Sequence, residues 1–182
     1  MPVPKRKSDK QSSRIVTLGE ITNENICDAL EQIYEINEDD KNKESTKRDP
    51  IKLILNSPGG DVYDGIGLID AIEQSETPIH MYIYGQAQSM GFAIATAGHY
   101  RYAGKRTTFM YHELSWETSR EKMQYHEQEL VEGKRLWQVY DDIITANTKI
   151  SQKKLDIIKK AHKEWYLTAE EALELGVIDE II

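Results

Sequence analysis

The chain has 182 residues, enough for one domain with a sizeable core, and its formal net charge of −8 argues against nucleic acid as a main partner. No apolar run approaches the ~18 residues that a membrane span needs, and the first residues lack the apolar core of a secretory signal. The single cysteine, Cys27, cannot form an internal disulfide and is interpreted as a small core residue in a helix. These features predict a soluble, cytoplasmic α/β protein without a membrane partner.

The N-terminal part of the chain is polar before it becomes periodic. Residues 1–14 are basic and show no hydrophobic pattern, so they are predicted to be a disordered tail, and residues 15–182 a single domain. The domain begins with a short strand over residues 15–18 and continues with a helix that Thr22 caps. The almost wholly polar segment 37–49 is predicted to be an exposed loop.

Two strand–turn–helix units follow in the middle of the chain. The apolar run 51–55 indicates a buried strand, which ends at the glycine turn of residues 58–60 and leads into a helix. The second unit repeats this order, with a strand over residues 79–84 that Gly85 ends and a helix of small residues that begins at Ser89. Neighbouring parallel strands would bring both helix N-termini and free backbone N–H groups together, which suits an oxyanion.

A long amphipathic helix is predicted from Glu117 to about Asn147, after a strand over residues 107–111 that leads directly to His112. At 1.5 Å per residue it spans roughly 45 Å, more than the core of one such domain needs. Its apolar residues therefore predict contact with another copy and an oligomer. The apolar residues expected to make this contact are Met123, Leu130, Trp137, Tyr140 and Ile144.

The chain ends with a helix over residues 151–160, a helix that opens with a capping box at residues 168–171, and a strand over residues 177–182. The glycine patterns typical of nucleotide binding are absent from the sequence, as are the histidine and cysteine spacings of a metal site. No cofactor and no metal are therefore expected.

Four segments together resemble the proteolytic subunit of the Clp protease. The order and spacing of the four make the resemblance specific, and it extends over residues 14–182. It implies a crotonase-like ββα superhelix with a long projecting handle helix, and a serine peptidase whose subunits form two stacked heptameric rings around a chamber. The segments are 56–60 (NSPGG), 85–91 (GQAQSMG), 110–112 (MYH) and 167–179 (LTAEEALELGVID).

The resemblance implies that Ser89 is the nucleophile, that His112 is the general base, and that the backbone amides of Gly60 and Met90 form the oxyanion hole. The family's aspartate is matched here by Glu164. This agrees with general chemistry, because a serine hydroxyl needs a base to attack a carbonyl and the base needs an orienting carboxylate. Taken alone, Ser89 equally fits a plain helix N-cap and His112 a structural histidine.

Three departures from the family pattern keep alternatives open. The acid is a glutamate, the segment 113–117 replaces a longer stretch rich in proline and glycine, and a polar tail replaces the N-terminal pore loops. The family's AAA+ unfoldase partner therefore stays an open question. The alternatives to a peptidase are a non-catalytic Clp-like subunit, an acyl-CoA hydratase or isomerase on the same fold, and a signal-peptide-peptidase-like Ser–Lys dyad.

Overall fold

Strands and helices alternate along most of the chain, which confirms the predicted α/β class. The computed structural model describes residues 13–113 and 123–182. In the second of these ranges it describes side chains only from residue 127 onward. In chain order the elements are β1 (Ile15–Leu18), α1 (Asn23–Asp40), β2 (Ile51–Ser57), α2 (Val62–Gln74), β3 (Ile79–Gln88), α3 (Met90–Thr96), β4 (Tyr100–Ala103), β5 (Thr108–Tyr111), α4 (Met123–Asn147), α5 (Gln152–Lys160), β6 (Trp165–Leu167), α6 (Ala169–Glu174) and β7 (Glu180–Ile181).

The strands form one mostly parallel sheet that forks at β3. Strands β1, β2, β3, β4 and β7 lie side by side in that order. The first half of β3, residues 80–83, pairs with β4, whereas residues 86–88 pair with β5, and β6 runs antiparallel to β5. This forked, mostly parallel sheet and its helices agree with the predicted ββα superhelix.

The prediction that β3 ends at Gly85 is wrong, because the strand continues to Gln88. Gly85 has φ +73°, which lets the backbone bend without leaving the sheet. The pairing with β2 shifts its register at this point, and the N–H of Gln86 donates to the side-chain oxygen of Asn56 at 3.3 Å. The bend therefore carries the strand toward β5 and the site.

Helix α3 lies at the centre of the core, where all seven of its residues are buried. Small residues permit this close packing. A Cβ added at Gly65 of α2 would lie 2.3 Å from the Met90 side chain, and one at Gly91 would lie 2.9 Å from Ser57. Bulkier residues at these two glycines would push α3 away from α2 and β2.

Helix α1 extends into the segment that was predicted to be an exposed loop. Its last residue, Asp40, is fully buried, and its carboxylate accepts hydrogen bonds from Arg14 at 2.6 Å, Lys43 at 2.7 Å and Thr77 at 3.1 Å. Burial alone would raise the pKa of Asp40, but these hydrogen bonds outweigh it and hold that pKa well below its usual value. Arg14, predicted to end the tail, is thereby held against the domain. Residues 1–12 lie outside the described part.

The interpretation of Cys27 as a core residue is wrong, because the thiol is exposed. The cysteine does lie in α1, as predicted. The buried face of that helix carries Ile26, Ala29 and Ile33, and each residue along a helix turns by about 100°, so Cys27 falls on the solvent side.

Helix α4 has a packed half and an exposed half. Leu136, Tyr140 and Ile144 are fully buried against the core, whereas Leu130 and Val131 are 60% and 69% exposed. The expectation that Tyr140 and Ile144 contribute to an interface between subunits is therefore wrong, since both side chains are enclosed within their own subunit. The predicted start of the helix before residue 123 lies outside the described residues. Within the described ranges, every helix is too short or too polar to span a membrane.

Candidate active site

Ser89 occupies a strained turn between β3 and α3. Its φ of +52° and ψ of −126° lie where few residues other than glycine are found, and such a strand-to-helix turn is typical of an exposed nucleophile. Hydrogen bonds fix this backbone: the N–H donates to the Met110 carbonyl at 2.9 Å, and the carbonyl accepts from the Phe92 N–H at 2.8 Å. Ser89 stands at the N-cap position, but its hydroxyl makes no capping bond, so the plain N-cap alternative is excluded.

The Ser89 hydroxyl instead contacts the imidazole of His112. Ser89 Oγ and His112 Nε2 are 2.8 Å apart, within the range expected for a nucleophile and its base. The pairing of strands explains the contact, because Gln88 of β3 pairs with Met110 of β5 and His112 follows directly after β5. Both side chains are half-buried, so a substrate can approach from solvent.

The glycine turn after β2 packs directly against Ser89. Gly59 and Gly60 have φ of +105° and +144°, and a Cβ added at Gly59 would lie 2.7 Å from the Ser89 Cβ and 3.3 Å from the Met90 nitrogen. Hydrogen bonds to Ile21 hold the turn from its other side: the Ile21 N–H donates to the Gly59 carbonyl, and the Asp61 N–H donates to the Ile21 carbonyl, both at 2.9 Å.

The backbone donors beside Ser89 that have no acceptor within the described part of the chain include the N–H groups of Gly60 and Met90. The N–H of Gly59 is already used, since it donates to Ser57 Oγ at 3.1 Å. Met90 is the first residue of α3, where the helix leaves N–H groups unsatisfied. Free amides next to a serine hydroxyl are suited to bind a developing oxyanion.

The structure does not bring the Glu164 carboxylate to His112. That carboxylate is exposed, and it accepts a hydrogen bond from the Tyr166 hydroxyl at 2.7 Å. This bond, together with burial, raises the pKa of the Tyr166 hydroxyl. For the His112 ring, Ser89 is the single hydrogen-bond partner found among the described side chains, which are those of residues 13–113 and 127–182.

The register of β5 and β6 relates Glu164 to His112. The last pair of this antiparallel ladder is Tyr111 opposite Trp165. One further pair in the same register would set His112 opposite Glu164, and facing residues of an antiparallel pair have Cβ atoms about 4.5–5.5 Å apart. At that spacing, a different rotamer of Glu164 would bring its carboxylate to the imidazole.

One more contact to the nucleophile, from Tyr140, was missed by sequence reasoning. The Tyr140 hydroxyl donates to the Ser89 carbonyl at 3.0 Å. A periodicity of four residues, shared with Leu136 and Ile144, would have indicated that Tyr140 is buried. Nothing in the sequence pattern indicates which backbone carbonyl its hydroxyl reaches.

The segment that follows His112 is described only at Glu113. Its carboxylate lies 3.0 Å from His162 Nδ1, an exposed residue with φ +49°. The segment 113–117 was predicted to depart from the family pattern, and its residues 114–117 lie outside the described residues. Groups of three or more His, Cys, Asp or Glu side chains that could hold a metal ion do not occur in the ranges that the structure describes.

Comparisons with known proteins point to one family. The family model of the Clp protease matches residues 7–182. The ATP-dependent Clp protease proteolytic subunit 3 of Synechococcus sp. (strain CC9605) is 31% identical over 172 residues, which cover 93% of this chain and 82% of that protein. Because the family model extends over nearly the whole chain and the relative covers most of both proteins, this chain belongs to the Clp protease family.

Proposed function

We propose that this protein is a serine endopeptidase of Clp type that cleaves peptides or unfolded polypeptide. The observation that carries the proposal is the 2.8 Å distance between Ser89 Oγ and His112 Nε2, at a strained turn where the hydroxyl has no capping role. Membership of the Clp protease family supports the same reaction class.

Each residue of the site has its own step in the proposed reaction. His112 Nε2 takes the proton of the Ser89 hydroxyl while Oγ attacks the carbonyl carbon of the scissile peptide bond. The oxygen of that carbonyl becomes negative and accepts hydrogen bonds from the N–H groups of Gly60 and Met90. The imidazolium then gives its proton to the leaving amine, which produces an ester on Ser89. Water activated by His112 hydrolyses the ester and restores the serine.

Glu164 completes this mechanism as the acid that orients His112. The β5–β6 register supports the assignment, because the next pair in that register would be His112 and Glu164. In that role the Glu164 carboxylate leaves the Tyr166 hydroxyl and accepts a hydrogen bond from His112 Nδ1. Before the attack this bond holds the neutral tautomer in which Nε2 faces Ser89, and the bond strengthens when the imidazole becomes charged.

The peptidase is proposed to work as a ring-forming homo-oligomer. Members of the Clp protease family form ring oligomers, and the exposed Leu130 and Val131 on α4 leave apolar area uncovered in one subunit. Stacked heptameric rings would enclose the Ser89 sites in a chamber that admits extended peptides. The proposal needs no AAA+ unfoldase for short peptides, and such a partner would matter only for folded substrates.

A fluorogenic peptide assay on the full chain tests this function. We expect hydrolysis that Ser89→Ala reduces by at least about 10³-fold in kcat/KM, with an unchanged sedimentation profile. Turnover of an enoyl thioester, followed by absorbance, is the parallel assay for the hydratase alternative. Hydration of the thioester without peptide hydrolysis would overturn the proposal.

One observation favours a second candidate, a non-catalytic Clp-like subunit. The Glu164 carboxylate is bonded to Tyr166 and not to His112, so the imidazole lacks its counter-charge in this conformation. A non-catalytic subunit would assemble normally and would show neither peptide nor thioester turnover, and its Ser89 would not react with an electrophile. The peptidase and the non-catalytic subunit therefore differ in a direct measurement.

A further inference from the structure

The Tyr140 hydroxyl is a buried donor that points at the backbone of the proposed nucleophile. It donates to the Ser89 carbonyl at 3.0 Å, and the Tyr140 side chain is fully buried. Burial raises the pKa of this hydroxyl well above its usual value, so it keeps its proton and remains a donor across the working pH range. The same carbonyl also accepts from the Phe92 N–H at 2.8 Å.

This carbonyl belongs to the same peptide group as the Met90 N–H. The peptide bond is planar, and none of the described peptide bonds is cis, so the Ser89 C=O and the Met90 N–H point in opposite directions from one rigid unit. Holding the oxygen in place therefore fixes the direction of the N–H. Hydrogen bonds accepted by the C=O also polarise the peptide group and strengthen its N–H as a donor.

Tyr140 is itself held by contacts from other elements. Its ring stacks on Tyr111 of β5, with centroids 5.5 Å apart and planes at 14°. The Tyr111 hydroxyl donates to the fully buried carboxylate of Asp141 at 2.7 Å. That carboxylate also accepts from Gln152 at 2.8 Å and from Lys159 at 2.5 Å, both on α5. Because its ring is held in this way, the Tyr140 hydroxyl has little freedom to leave the Ser89 carbonyl.

We infer that Tyr140 is a positioning residue, which acts through the Ser89–Met90 peptide to aim and polarise the Met90 N–H at the oxyanion. The inference rests on the proposed function, since it presumes that Met90 stabilises a negative charge on an attacked group. It assigns to helix α4 a role in transition-state binding besides its place in the core and at the proposed interface.

Tyr140→Phe is the test, because it removes the hydroxyl and keeps the stacked ring. The Ser89 carbonyl retains the Phe92 N–H as a partner, so we expect the fold to persist. The rate at which a fluorophosphonate modifies Ser89 and the kcat for a peptide should both fall about tenfold, less than the 10²–10³-fold loss of a whole oxyanion donor. KM should stay within about twofold, because the substrate ground state is unaffected.

A matched control and a tetrahedral inhibitor separate positioning from general packing. Tyr63→Phe removes a hydroxyl that donates to Glu132 of the same helix α4 at 2.8 Å, and it should leave every rate unchanged. The affinity of a peptide boronate should fall in Tyr140→Phe by the same factor as kcat/KM, while that of a cleaved product peptide should not. Equal losses for the boronate and the product would contradict the inference.

The failures of the two proposals are distinguishable. A Tyr140→Phe variant that reacts at the unmodified rate, in a protein whose Ser89 is labelled, overturns the role of Tyr140 and leaves the peptidase intact. An unreactive Ser89 in the unmodified protein overturns both. If Tyr140→Phe does not fold, 3-fluorotyrosine at position 140 provides a stronger donor of the same shape. The labelling rate should then rise, and an unchanged or lower rate would contradict the inference.

Discussion

At the scale of single residues, the proposed mechanism depends on where one carboxylate points. The Glu164–Tyr166 hydrogen bond joins a neutral hydroxyl to the exposed carboxylate. A bond from the His112 imidazolium would add the attraction between two opposite charges, so it is the stronger of the two when His112 carries the extra proton. We therefore expect the exchange of partners to be most favourable when the imidazole takes the serine proton.

Replacement of Glu164 tests this exchange. Glu164→Gln keeps the shape of the side chain and removes its charge, so it should lower the kcat for peptide hydrolysis at least tenfold. The upper limit is the loss of about 10⁴-fold that follows when a serine protease loses the charge of its triad aspartate. Tyr166→Phe is the matched control, because it frees the carboxylate from its present partner and should leave kcat equal or higher. Near-native activity of Glu164→Gln would remove Glu164 from the mechanism.

The residues of the site differ in how far sequence reasoning could predict them. The proximity of Ser89 and His112 follows from motifs at strand ends, because the paired backbone brings those ends together. The partner of Glu164 could not be predicted, since the choice between Tyr166 and His112 is a choice of rotamer. The burial of Asp40 was not predicted either, because the arginine and threonine that bind its carboxylate lie 26 and 37 residues away in sequence.

At the scale of elements, the glycine turn between β2 and α2 controls the geometry around Ser89. Its positive φ angles let the backbone approach the serine more closely than a side chain would allow. The prediction that a helix follows this turn is confirmed by α2, which Asp61 caps and whose apolar period is regular. The predicted end of β3 at Gly85 came too early, because a glycine that bends a strand gives the same sequence pattern as a glycine that ends one.

Gly59→Ala tests how closely the glycine turn approaches Ser89. The added Cβ would lie 2.7 Å from the Ser89 Cβ at a backbone φ of +105°, so the turn or the serine must move. We expect at least about a 100-fold loss of kcat/KM, the scale of losing one oxyanion donor. Gly67→Ala in α2 is the control, since nothing lies within 4 Å of the added Cβ. It should keep full activity and raise the free energy of unfolding by about 0.5–1 kcal/mol. Equal activity of the two variants would contradict the proposed packing of the turn.

At the scale of the whole molecule, helix α4 takes part in both proposals, the one on catalysis and the one on assembly. Its C-terminal half provides Tyr140 to the site, while its N-terminal half exposes Leu130 and Val131. The apolar residues of this helix were expected to face another subunit. The structure divides them into two groups, because the helix buries only the part that packs against α3 and α5.

Replacement of the exposed residues tests the proposed assembly. Covering one such side chain is worth about 1.5–3 kcal/mol, and the contribution repeats around a ring. Leu130→Lys combined with Val131→Lys should therefore shift sedimentation toward smaller species at micromolar protein. Gln128→Lys adds a charge to the same exposed half of the helix without removing apolar area and should sediment as the unmodified protein does. A stable monomer of the unmodified protein would contradict ring formation.

The central claim is that Ser89 is a nucleophile activated by His112. The most direct measurement is to label the folded full-length protein with a fluorophosphonate and to locate the adduct by peptide mapping and mass spectrometry. We predict one adduct per chain on Ser89, no adduct in Ser89→Ala, and much slower labelling in His112→Ala. An adduct on another residue, or no adduct in a well-folded oligomer, would contradict the account.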